Sequence, residues 1–271
     1  MIDKGIEMGV GQVTIEKKGR VAVIRFDRGD GVNALSLDLM RDLTRAARSF
    51  EDDTETSAIV LTGGPKTFTL GFDLKDPETA SLRDAGLAEK RHLLRTGPRM
   101  CRAFEELEPM TFAAIEGWCV GGGAALAVAC DLRVLAEDAT LYVPEIERGM
   151  NMSWGSVPRF VNLIGPARTK RLVVMAEKVA AARALDWGLA DEVAAPGGAF
   201  ETAMAMAERV AALPPVQVRM CKQGITLAAT ALNRAVSFMD GDQFALAQSS
   251  EDFAEGVRSF LEKRPPAFKG R

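Results

Sequence analysis

Histidine occurs once in this chain of 271 residues, as His92, and tyrosine once, as Tyr142. One imidazole leaves little material for a histidine-built metal site or a Ser-His-Asp triad. Cysteine is scarce too. Cys101, Cys119, Cys130 and Cys221 never form Cys-x-x-Cys, which argues against a zinc site or redox dithiol and leaves each as a small apolar residue. No run approaches the roughly 18 apolar residues of a membrane span. Met1-Ile2-Asp3-Lys4-Gly5 lacks the basic start and apolar stretch of a signal peptide, so a cytoplasmic protein is expected. A basic excess is also missing. The formal net charge is −3, which gives no reason to expect nucleic acid, although a local Lys and Arg cluster suffices for a small anion.

What is present is a globular composition, 47% apolar and 26% charged, in a chain long enough for one large domain or a main domain with an appendage. Val13-Thr14-Ile15-Glu16-Lys17 alternates, and Val21–Phe26 is mostly apolar. With Lys18-Gly19-Arg20 between them they predict a hairpin. Ser36 is placed to cap a helix reaching about Asp52. Residues 57–62 read as a buried strand, 76–86 as a polar loop, and about 87–107 as a helix interrupted at Gly97-Pro98. Short strands are expected at 111–115, 132–135 and 141–143, with a tight interior helix over 124–129. Beyond about residue 155 the pattern is helical, over 166–177, 181–188, 198–213, 216–231, 233–248 and 250–263. The reading is an α/β core over 1–197 and a helical region over 198–271.

Three segments could carry chemistry. Phe68-Thr69-Leu70-Gly71-Phe72-Asp73-Leu74 follows a strand, and its glycine lets an adjacent N–H face a ligand, or else it is a plain turn capped by Asp73. Gly117-Trp118-Cys119-Val120-Gly121-Gly122-Gly123 lies between a strand and an apolar helix. Three consecutive glycines suit backbone N–H groups at a helix N-terminus facing a developing oxyanion, or close helix-to-strand packing. A dinucleotide fingerprint fits poorly, because Leu126 stands where Gly or Ala is needed. In Tyr142-Val143-Pro144-Glu145 a carboxylate follows a strand. In a pocket its pKa would rise and suit proton transfer; otherwise it is a surface glutamate beside Glu147 and Arg148.

In this order and spacing the segments resemble the enoyl-CoA hydratase/isomerase (crotonase) superfamily. Further matches are Asn33-Ala34-Leu35, Ala129-Cys130-Asp131-Leu132, Leu163-Ile164-Gly165-Pro166-Ala167, Ala184-Leu185-Asp186-Trp187-Gly188-Leu189-Ala190 and the tail from Glu251-Asp252-Phe253-Ala254-Glu255-Gly256 through Phe260-Leu261-Glu262-Lys263-Arg264. The resemblance implies a superhelix of ββα turns followed by helices that support a homotrimer or a hexamer built as a dimer of trimers. It implies an acyl-CoA thioester as substrate, with no permanently bound cofactor and no metal, nucleic-acid or membrane partner. The Phe72 and Gly122 N–H groups would form the oxyanion hole and Glu145 would move the proton. Ala34, Leu70, Gly71, Asp73, Leu74, Gly121, Ala125, Pro144, Phe260 and Lys263 would contact substrate or CoA. Arg25, Arg28 and Lys75 would meet its phosphates or remain solvated. Trp118, Met152 and Trp154 would line an acyl pocket or pack in the core.

The chain departs from the family's two-glutamate hydratases. Where the first glutamate would stand, three residues after Gly122, it has Ala125. A single carboxylate still suffices to shuttle a proton between two carbons, so double-bond isomerisation stands first. Hydration using Glu145 with Glu147 or Glu116, and acyl-CoA binding without catalysis, are the alternatives.

Overall fold

A computed structural model describes residues 6–8, 13–81 and 85–271. In chain order the elements are β1 (Ile6–Met8), β2 (Val13–Lys18), β3 (Val21–Phe26), α1 (Leu37–Arg48), β4 (Ala58–Thr62), β5 (Thr67–Thr69), α2 (Pro77–Ser81), α3 (Leu87–Leu93), α4 (Thr96–Glu105), β6 (Met110–Ile115), β7 (Trp118–Val120) and α5 (Gly122–Ala127). They continue with β8 (Leu132–Ala136), β9 (Thr140–Tyr142), a 3-10 turn (Glu145–Arg148), α6 (Ser156–Val173), β10 (Val179–Ala180), α7 (Ala181–Trp187), β11 (Glu192–Ala194), α8 (Ala199–Ala211), α9 (Pro215–Thr230), α10 (Asn233–Ser237), α11 (Asp240–Gln248) and α12 (Glu251–Glu262).

The β2–β3 hairpin forms in the register Lys18↔Val21, leaving Gly19-Arg20 as a two-residue turn. The Ser36 hydroxyl accepts from the Leu39 N–H at 3.1 Å and caps α1. Leu39, Met40, Leu43 and Ala47 of that helix are buried, and the helix packs on α4. The break before α4 falls at Leu94-Arg95, not at Gly97-Pro98. Pro98 instead sits in the first turn of α4, where its missing N–H has no intrahelical partner to lose. The polar stretch after Asp76 opens as α2, and 82–84 of the expected loop lie outside the described residues, as do Met1–Gly5.

One sheet runs β1-β2-β3-β4-β6-β8-β11 and the other β10-β9-β7-β5. Pairing is parallel from β3 to β11 in the first and among β5, β7 and β9 in the second. The chain therefore spirals. Three times in succession it lays a strand in the large sheet, then a strand in the small sheet (β4–β5, β6–β7, β8–β9), before turning back through helical structure. This arrangement brings the segments that leave β5, β7 and β9 side by side, and these carry Gly71-Phe72, Gly121-Gly122 and Pro144-Glu145. Of the small sheet's strands, β9 matches the strand expected at 141–143, whereas β5, β7 and β10 are not legible in the apolar pattern, since two or three residues show no period.

On the large sheet, α8 packs across β3, β4, β6 and β8. Its first turn is held by the Glu116 carboxylate, which accepts from the Gly197 and Ala199 N–H groups at 3.0 and 2.9 Å. Asp131 accepts from the Thr111 N–H at 2.7 Å and pairs with the buried Lys222 ammonium at 2.6 Å, tying β6 to α9. The expected helix over 233–248 is two, α10 and α11. Among α9, α10 and α11, Met220, Ile225, Leu232, Val236, Phe238 and Leu246 are exposed.

Candidate active site

Asn33 fixes the first of the three segments. Its amide donates to the Phe26 and Phe68 carbonyls at 3.0 and 2.8 Å and accepts from the Arg28 N–H at 3.1 Å. It is buried and left-handed, with φ 52°, a conformation asparagine tolerates better than most residues. Leu35 then pairs with the loop, donating to Gly71 O at 2.8 Å and accepting from the Asp73 N–H at 3.0 Å. Gly71 has φ 87°, and a Cβ there would lie 2.6 Å from the Val120 carbonyl oxygen. The loop after β5 is thus pressed against the end of β7, and only glycine fits.

The second segment turns sharply from β7 into α5. Gly121 has φ 52°, its N–H donates to Tyr142 O at 2.8 Å, and a Cβ would collide with Glu145 Oε1. Gly122 starts α5, with the Trp154 ring lying where its Cβ would be. The same ring lies against Gly97 and meets the Phe72 ring edge-on at 6.3 Å. Among the described residues, neither the Phe72 nor the Gly122 N–H donates a hydrogen bond. Both residues line one chamber with Glu145. Two free backbone donors facing a space beside a carboxylate can stabilise an oxyanion while a proton moves.

Glu145 begins the 3-10 turn, which closes when the Met150 N–H bonds its carbonyl at 2.9 Å. The residue keeps some exposure, yet Oε2 is buried and has no hydrogen-bond partner among the described residues. Burial pushes the carboxyl up from 4.5 to about 7, against smaller opposing pulls from its own backbone N–H and then from Arg148. Such a group accepts and returns a proton with similar ease near neutral pH. Helix α12 braces this turn. Backbone of Arg148 and of Asp252 lies where Cβ atoms on Gly256 and Gly149 would be.

Two cavities meet at Glu145 and Phe72. The inner one, about 60 Å³, is walled by Met40, Phe72, Leu94, Pro98, Gly122, Met150, Met152, Trp154 and Phe244. The outer groove, about 430 Å³, is lined by Ala34, Leu70, Gly71, Asp73, Leu74, Lys75, Gly121, Pro144, Arg148, Phe260 and Leu261 among others. A small apolar chamber joined to a larger groove with Lys75 and Arg148 suits a molecule with an apolar reacting end and a bulky anionic end.

The family model for enoyl-CoA hydratase/isomerase matches residues 16–271. The short-chain-enoyl-CoA hydratase of Clostridium acetobutylicum is 31% identical, over 97% of this chain and 100% of that protein. The crotonyl-CoA hydratase of Syntrophomonas wolfei is 30% identical, over 96% and 99%. Among solved structures, carnitinyl-CoA hydratase from Mycobacterium avium superposes with TM-score 0.83 at 31% identity, covering 97% of this chain and 100% of that one. The chain belongs to the enoyl-CoA hydratase/isomerase family. It has the α/β crotonase fold and processes acyl-CoA.

Most of the residues expected from the family pattern come together around the two cavities. Two do not. Ala125 is fully buried in the hydrophobic core, one helical turn past Gly121, and lines neither cavity. Lys263 caps α12 in the left-handed conformation and lines neither cavity of the subunit. The Asp73 carboxylate is held by Arg28 at 2.6 Å, so Arg28 is committed within the subunit. Arg25 lies over the Phe200 ring at 5.0 Å. Trp118 is exposed beside Lys178 and lines neither cavity, whereas Met152 and Trp154 wall the inner one. The alternative second carboxylates are engaged elsewhere: Glu116 caps α8, and Glu147 accepts from the Tyr142 hydroxyl. Sequence reasoning missed Arg148, Asn151 and the α3–α4 walls, which no spacing advertises because they arrive by tertiary packing.

Proposed function

We propose that this chain reversibly adds water across the 2,3 double bond of an enoyl-CoA thioester, with Glu145 as the acid and base. The carrying observation is a chamber in which two free backbone donors, Phe72 and Gly122 N–H, accompany one buried carboxylate held near pH 7. From sequence alone isomerisation stands first. Relatives named as hydratases, similar over the whole chain, move hydration ahead.

In this reading the thioester carbonyl oxygen takes the Phe72 and Gly122 N–H bonds. Glu145 takes a proton from water as the water oxygen bonds to Cβ, and negative charge collects on the thioester oxygen. The same carboxyl then protonates Cα, restoring the base. Losing one donor of this kind costs roughly 3–4 kcal/mol of barrier. The outer groove would hold CoA, with Leu70, Phe260 and Leu261 against its apolar arm and Lys75 and Arg148 near its phosphates. The exposed apolar residues on α9 to α11 support association as a homotrimer or dimer of trimers.

Isomerisation is the second reading, favoured by the single carboxylate of the inner chamber. The test feeds purified enzyme a short 2-enoyl-CoA and, separately, the 3-enoyl isomer. Hydration predicts loss of the conjugated thioester absorbance and formation of the 3-hydroxyacyl product. Conversion of the 3-enoyl thioester with the 2-enoyl thioester left unhydrated would favour isomerisation, and binding of both with no turnover would favour a non-catalytic role.

A further inference from the structure

Apart from Glu145, the polar side chains lining the inner chamber are Asn151 and Ser153. Asn151 lies between Met150 and Met152, both buried, in a stretch outside any helix or strand. Its Oδ1 is buried and has no hydrogen-bond partner among the described residues. The residue keeps some exposure, yet a buried amide oxygen without a partner is costly, and a hydrophobic side chain would avoid that cost. The same chamber holds a second orphan, Glu145 Oε2. Two unpartnered oxygens on residues that line one small space are both acceptors, and a molecule with two O–H bonds would satisfy both.

We propose that Asn151 is a catalytic residue that, with Glu145, holds the water added to the enoyl thioester and later the hydroxyl of the product. This rests on the hydration reading above. Among the described residues no second carboxylate lines the chamber, so the carboxamide provides the second contact to water. One O–H of the water points to Glu145, which removes that proton, and the other to Asn151, which keeps it on oxygen. The oxygen lone pair is left free to form the bond to Cβ. After addition the remaining O–H belongs to the 3-hydroxyl, so Asn151 recognises attacking water and product alcohol alike. Proton exchange at Cα needs only the backbone donors and Glu145.

The test compares wild type with N151L, N151A and N151S in three assays: hydration of but-2-enoyl-CoA, α-hydrogen exchange of butanoyl-CoA in deuterated water, and binding of butanoyl-CoA. The account expects N151L and N151A to lose about 100-fold in hydration kcat. Butanoyl-CoA binding and α-exchange should stay within about threefold, and N151S should recover part of the loss through its hydroxyl. Hydration within threefold of wild type in N151A would overturn the assignment. So would parallel loss of hydration and exchange, which would make Asn151 a support for Glu145. Should wild type exchange the α-hydrogen but never hydrate, the hydration reading fails and takes this inference with it.

Discussion

Replacing Glu145 by Gln should stabilise the protein, and the gain should depend on pH. Burial raises the Glu145 carboxyl from 4.5 to about 7, so folding favours its protonated form. The sign follows from linkage. Below about pH 4.5 the group is protonated in folded and unfolded chains alike, and the native site bears no charge. As pH rises through 7 the unfolded chain has already ionised while the folded one must ionise in a buried site, and stability is lost. A shift of this size corresponds to about 3 kcal/mol. Gln keeps the shape without a charge to bury. Urea unfolding of wild type and E145Q, at fixed protein concentration to hold association constant, should give a stability difference that grows in favour of E145Q by about 3 kcal/mol between pH 4.5 and pH 8.5. Parallel stability profiles across that range would refute the claim that burial holds this carboxyl high.

Gly121→Ala forces a Cβ onto Glu145 Oε1 at φ 52°. It should cut kcat about 100-fold, read by steady-state kinetics, because a displacement of about 1 Å at the reacting group costs that much. Asn33→Ala strips the Phe26 and Phe68 carbonyls and the Arg28 N–H of their shared partner and should destabilise by about 2–4 kcal/mol in a chemical melt. Trp154→Ala removes the ring resting on Gly97 and Gly122. It should cost about 3–5 kcal/mol of stability and shift the kcat/KM ranking of acyl groups toward bulkier ones. Glu116→Gln should weaken the α8 cap by about 1 kcal/mol and leave kcat unchanged, whereas a large kcat loss would restore it as a second carboxylate.

Hairpin, capped helix and buried strand were legible in the sequence because each has a local cause: the two-residue turn after Lys18, the Ser36 hydroxyl, the apolar run 58–62. The three chemical segments were legible as an ordered set. Their meeting was implied by the family resemblance alone, because it depends on the spiral placing β5, β7 and β9 side by side, and β5 and β7 are too short to show a period. Ala125 shows the limit of motif transfer. Its position was read as site-lining, yet the methyl is fully buried in the core and lines neither cavity. Asn151 shows the opposite failure, since an asparagine between two methionines carries no signal until the fold sets it at the chamber with a buried, unpartnered Oδ1. Gly97 read as a helix interruption, but α4 runs through it and its missing side chain makes room for an indole.

The central claim is that backbone donors polarise a CoA thioester while one carboxylate moves the proton. The most direct measurement is turnover and binding of a short 2-enoyl-CoA by E145Q. The account predicts a kcat at least about 1,000-fold lower, with thioester affinity kept within a few-fold. Full activity in E145Q would contradict it.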